Sequence, residues 1–157
     1  MQIDQRQAAK GNDGAGTKSM TDKAFFDSNL LVYAFDQGSP AKQEVAKCLI
    51  GEYGSAGNLV LSTQVLQEFY VVTTKKLAKP LTKEEAAEVV KDLGEFPLVQ
   101  VDKGVINRAM DRHREGEFSF WDCLIIEAAL QSGCSLLLTE DMQNGRRINT
   151  LEIHNPF

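Results

Sequence analysis

The sequence has little of what builds a disulfide or zinc protein. Its 157 residues include three cysteines, Cys48, Cys123 and Cys134, and two histidines, His113 and His154. The cysteines are odd in number and form no C-x-x-C pair, which predicts reduced, buried thiols in a cytoplasmic protein. Cys123 adjoins Asp122, but neither histidine sits in a motif that would make a Cys–His nucleophile, so thiol catalysis is disfavoured. No apolar stretch approaches the ~20 residues needed to cross a bilayer. The N-terminal segment also lacks the apolar core of a secretory signal, so no membrane association is expected. Basic charge is scarce: 17 Lys and Arg against 22 Asp and Glu leave a formal net charge of −5. That balance does not announce a nucleic-acid binder, although bound metal can reverse the sign of a site locally. There is no internal repeat.

What is present suffices for one packed domain, since 43% of the residues are hydrophobic. Met1 to Asp22 contains Gly11, Gly14 and Gly16, and only Met1, Ile3 and Met20 as large apolar side chains. Such a segment buries too little to fold, so residues 1–22 read as a flexible leader and residues 23–157 as the domain.

Within the domain, short apolar runs alternate with helical patterns. Ala24-Phe25-Phe26 predicts a buried strand and Leu30 to Ala34 a helical turn. Pro40 opens a helix to about Ile50, and Asn58 to Leu61 reads as a second strand. Ser62 or Thr63 caps a helix that ends near Lys79-Pro80. Thr82-x-x-Glu85 is a capping box, and Gly94 and Pro97 close its helix. Leu98 to Val101 predicts a strand, Asp102 opens a helix to about Arg114, and Ser119 caps a strongly apolar one from Phe120 to Gln131. Ser135 to Leu138 predicts a strand, Asn144-Gly145 a turn, and Ile148 to Ile153 a last strand. Alternation of this kind predicts an α/β fold whose parallel sheet is covered on both faces.

Four acids stand against this apolar background. Asp27 and Asp141 each follow a predicted strand, where ligands of open α/β sheets bind. Asp27 also suits a helix cap, with Ser28 or Asn29 able to orient its carboxylate. Glu68 shares a helix face with Val65, Val71 and Val72, which turns it toward packing unless its head reaches water. Asp122 fits a capping box with Ser119, and a cap can still project an oxygen into a cleft. Thr139 and Asp141, two apart in extended chain, point the same way and Glu140 the other, which makes Glu140 the weaker substitute for Asp141. Together the four predict one acidic pocket. Its hard oxygen donors, with no His or Cys motif beside them, select Mg²⁺ or Mn²⁺ over Zn²⁺.

The segments Phe26-Asp27-Ser28-Asn29, Gln67-Glu68-Phe69, Trp121-Asp122 with Ala128-Ala129, and Leu138-Thr139-Glu140-Asp141 resemble the acidic positions and supporting residues of the PIN-domain family. Within it the chain is most similar to VapC-like toxins of toxin–antitoxin pairs. The resemblance implies a three-layer α/β/α sandwich with a central parallel sheet. It also implies a metal-dependent endoribonuclease, a homodimer and an antitoxin partner. Asp27, Asp122 and Asp141 would then be metal ligands, and Glu68 would complete the shell or take a proton from water. Ser28, Asn29 and Thr139 would support them. Arg112 and Arg114 before the Asp122 helix, and Arg146 and Arg147 after Asp141, are candidates for RNA phosphate contacts. The alternatives are a PIN-type RNA-processing nuclease and a catalytically silent PIN-like binding module. A haloacid-dehalogenase-type phosphotransferase would want a second Asp where Asn29 stands, and a receiver domain would want paired acids near the first strand.

Overall fold

The computed structural model describes residues 22–157, so the expected leader lies outside them except for Asp22. Six strands, β1 (Ala24–Phe26), β2 (Leu59–Ser62), β3 (Leu98–Val99), β4 (Leu136–Leu138), β5 (Arg147–Ile148) and β6 (Leu151–His154), form one sheet in the order β3-β2-β1-β4-β6-β5. Every residue of β1, β2 and β4 is buried. Uninterrupted apolar strands of this kind belong to sheets covered on both faces. All pairings are parallel except β5 with β6. The helices are α1 (Ser28–Tyr33), α2 (Pro40–Ser55), α3 (Thr63–Lys75), α4 (Lys83–Leu93), α5 (Lys103–Arg114) and α6 (Phe120–Gln131). α1 packs on α2 and α3, and α3 on α4, while α5 packs on α6. The result is the expected three-layer α/β/α sandwich.

The caps were legible locally. Thr82 and Glu85 make both halves of the capping box, Asp102 accepts from Val105 N, and Ser119 accepts from Asp122 N. Ser62, rather than Thr63, caps α3, while the Thr63 hydroxyl accepts from Val101 N at 3.0 Å. That bond takes a strand donor, and β3 is accordingly shorter than expected. Three other boundaries differ from expectation. α2 runs on to Ser55, because Tyr53 in its last turn is buried edge-on against Phe26, 5.6 Å between ring centres. α3 stops at Lys75, and Leu81 N reaches back to the Thr73 carbonyl at 2.9 Å. The expected last strand is a hairpin of β5 and β6, with Asn149 at φ 53° in its turn, a conformation Asn tolerates better than most residues. Cys123 and Cys134 are buried as expected but Cys48 is exposed, on the solvent side of α2.

Strand order places the site. The chain moves outward from β1 to β2 and β3, then returns to lay β4 on the other side of β1. β1 and β4 therefore flank a topological switch point, where a crevice opens beyond their carboxyl ends. Register puts Phe26 opposite Leu138, so the residues that follow, Asp27 and Thr139, leave the sheet side by side.

Candidate active site

Asp27 is both the cap of α1 and the most deeply placed acid of the crevice. Its Oδ1 accepts from Ser28 N at 2.7 Å and its Oδ2 from the Thr139 hydroxyl at 2.8 Å. Burial pushes its pKa from 3.8 up to about 7, against the pull of those hydrogen bonds, and the charges of Glu68 and Asp141 add to the rise. A carboxylate so placed gains strongly from a nearby cation.

Glu68 is half-buried and held through both oxygens, by the Ser28 hydroxyl at 2.7 Å and the Gln64 side-chain amide at 2.9 Å. The expected apolar stripe is incomplete, because Val65 is fully buried but Val71 is exposed. The side chain turns inward through its hydrogen bonds instead. Gln64, one turn before Glu68, was missed in the sequence. Its i,i+4 spacing to an acid was the available signal. It is buried and also donates to the Trp121 carbonyl at 3.4 Å, tying α3 to the start of α6.

Asp122 sits in the first turn of α6, where its N–H is capped by Ser119. Burial raises its pKa, a hydrogen bond with Ser119 opposes this, and Asp141 and Glu68 raise it further. Asp141 is exposed, and Asn29 Nδ2 donates to its Oδ2 at 3.0 Å and more loosely to Thr139 Oγ1 at 3.3 Å. Glu140 faces away, as its alternation with Asp141 predicts. It accepts from the Tyr33 hydroxyl and from Lys42 Nζ at 2.7 Å, and these partners hold its carboxyl below the usual range despite opposing burial.

A cleft of about 310 Å³ is lined by Phe118, Ser119, Asp122, Asp141, Met142 and Arg146, among others. Of the four expected phosphate contacts only Arg146 lines it, lying 4.3 Å over the Phe118 ring and paired with Glu117. Arg112 does not come to the cleft, because its Nε is held at 2.6 Å by Glu127, a buried acid whose approach was invisible in the sequence. Arg114 pairs with Asp111 and Arg147 with Glu152. Two larger depressions, of about 480 and 520 Å³, are apolar and contain none of the four acids.

Among the described residues, none of the four acids forms an ion pair. No three His, Cys, Asp or Glu side chains there converge as a ready-made metal cage. Among the described residues, the buried amide oxygens Asn29 Oδ1 and Gln64 Oε1 find no hydrogen-bond donor. Both belong to residues that hold the acids, and water of a hydrated cation is the kind of donor they lack.

Among solved structures the fold is similar to a chain of a toxin–antitoxin complex from Klebsiella pneumoniae, with 17% identity and a TM-score of 0.64 over 86% of this chain and 98% of that one. It is similar to VapC20 of Mycobacterium tuberculosis, a sarcin-ricin loop cleaving toxin, with 19% identity and a TM-score of 0.57 over 73% and 87%. It also resembles a chain of VapBC2 from Rickettsia felis bound to a promoter DNA fragment, with 18% identity and a TM-score of 0.55 over 84% and 97%. At such identities the likeness is one of fold. No curated protein sequence matches the chain significantly. The PIN domain family model, however, matches residues 24–146, which span β1 to the turn before β5 and carry all four acids, and the chain belongs to the PIN domain family.

Proposed function

We propose that this PIN domain is a metal-dependent endoribonuclease and the toxin of a toxin–antitoxin pair. The observation that carries the reading is that Asp27 and Asp122, from separate segments, both feel the charges of Glu68 and Asp141, while among the described residues none of the four has an ion-pair partner. Asp27, Asp122 and Asp141 would hold a divalent ion, Mg²⁺ or Mn²⁺. When bound, the ion supplies positive charge that eases deprotonation of water and steadies charge on the phosphate oxygens. Thr139 and Ser28 N fix Asp27, and Asn29 fixes Asp141, so the ligands are oriented in advance. Glu68 accepts one hydrogen bond on each oxygen, leaving a lone pair on each, and takes the proton of the attacking water. Arg146, which lines the cleft, would have to exchange its pairing with Glu117 to meet an RNA phosphate.

The toxin reading is supported by the near-complete coverage of two chains from toxin–antitoxin complexes. The antitoxin would lie in the apolar depression between α3 and α4, lined by Leu66, Tyr70, Val71, Ala87 and Val90. A homodimer is part of the same proposal. Wild-type protein should cut RNA with Mg²⁺ or Mn²⁺ and stop in EDTA, while Asp122→Ala, folded by circular dichroism, should lose at least a hundredfold in rate. Growth arrest on induction, with one or a few RNAs cut, would mark a toxin. Uniform decay of total RNA without a growth penalty would mark a processing nuclease, and undiminished cleavage by Asp122→Ala would remove the site assignment.

A further inference from the structure

The proposed cleft is poorly equipped to hold RNA by charge. It is lined by Asp122 and Asp141, its Arg146 is already paired with Glu117, and the chain carries a net charge of −5. A bound divalent ion would offset charge at the reacting phosphate, but neighbouring nucleotides need another source of grip. Base stacking is that source in proteins that hold single strands, because every base has a π-face.

Trp121, the one tryptophan of the sequence, is 64% exposed. It directly precedes Asp122 in α6. Its ring meets Phe120 edge-on at 5.6 Å and 62°, which steadies the indole while leaving most of its surface in water. Its carbonyl accepts from the same Gln64 amide that donates to Glu68, so its backbone is pinned to the acidic cluster. A protein-binding surface gathers several apolar side chains at its core. Trp121 instead lines neither apolar depression, and its ring contact among the described residues is with Phe120, which is partly buried.

We infer that Trp121 is a stacking platform for an unpaired nucleobase of the RNA, beside the phosphodiester presented to Asp122. The inference rests on the ribonuclease reading and adds a base-contacting residue to it, one that only an unpaired base next to the cut can meet. Base-paired RNA keeps its faces stacked and cannot use the platform.

As the sole tryptophan, Trp121 reports on itself. The full-length protein is titrated with a short unstructured RNA oligomer, Ca²⁺ replacing Mg²⁺ so that binding proceeds without cutting. An abasic oligomer of the same backbone is the control. Indole fluorescence should be quenched by the base-bearing oligomer and little by the abasic one. In steady-state cleavage of a single-stranded substrate, Trp121→Ala should raise KM by roughly ten- to hundredfold, the loss falling on KM more than on kcat, and Trp121→Phe should recover much of it. Equal quenching by both oligomers, or none, would overturn the platform, as would an unchanged KM in Trp121→Ala. An unchanged KM with a changed mass by light scattering would make Trp121 a protein contact. Base-dependent quenching in a protein that never cuts RNA would sink the nuclease reading and leave the platform standing.

Discussion

Asp27 answers two demands at once, and its titration records the conflict. Its oxygens cap α1 and accept from Thr139, yet it is 6% exposed, with two other acids acting on it. A carboxyl whose folded pKa is above its unfolded value adds most stability below the unfolded value, and that stability is lost as pH rises through the folded one. For Asp27 the window runs from 3.8 to about 7, and the difference corresponds to roughly 4 kcal/mol. Asp27→Asn should therefore match wild type in melting temperature near pH 4 and exceed it by several degrees at pH 8 in EDTA, while abolishing cleavage. Equal melting temperatures at both pH values would show that the carboxyl is not strained. Thr139, fully buried, is the complementary case. Thr139→Val removes the donor to Asp27 and should cost about 1–3 kcal/mol at pH 8 by denaturant unfolding, with Thr139→Ser close to wild type.

At the scale of elements, α5 and α6 are joined by charge as well as packing. Glu127, on the largely apolar α6, is buried and meets Arg112 at 2.6 Å and Arg108 at 3.6 Å. Removing one partner of such a pair leaves the other charge uncompensated, at a cost of about 3–5 kcal/mol. Glu127→Ala should lower stability by roughly 3 kcal/mol, and Arg112→Ala by a similar amount with little change in KM for RNA. A rise in KM without loss of stability would return Arg112 to the RNA-binding set. α6 matters to the site because its first turn carries both Trp121 and Asp122.

Across the whole molecule, a divalent ion held as proposed by the acids would act as a folding ligand. An ion that binds the folded crevice and not the unfolded chain stabilises it in proportion to the logarithm of saturation, about 2.7 kcal/mol at a hundredfold excess over Kd. Mg²⁺ or Mn²⁺ should raise the melting temperature of the wild type and leave that of Asp27→Asn much less changed. The effect should grow from pH 5 to pH 8 as Asp27 ionises. An increment independent of pH and of Asp27 would place the ion elsewhere. Salt should weaken RNA binding only modestly, since few phosphates can be neutralised by this surface.

The sequence by itself determined the alternation of strands and helices, the caps at Thr82, Asp102 and Ser119, and the acids that follow β1 and β4. Each of these depends on residues within a few positions of one another. The opposite directions of Glu140 and Asp141 were legible for the same reason. Tertiary structure alone decided which strands are neighbours, and hence that Asp27 and Thr139 emerge together at a switch point. It alone gave Glu68 to Ser28 and Gln64, gave Glu140 to Tyr33 and Lys42, and withheld Arg112 from the cleft by pairing it with Glu127. Ser28 and Glu68 lie 40 positions apart, and Thr139 and Asp27 112. Contacts across such separations are set by how layers close on the sheet, and no local periodicity encodes them.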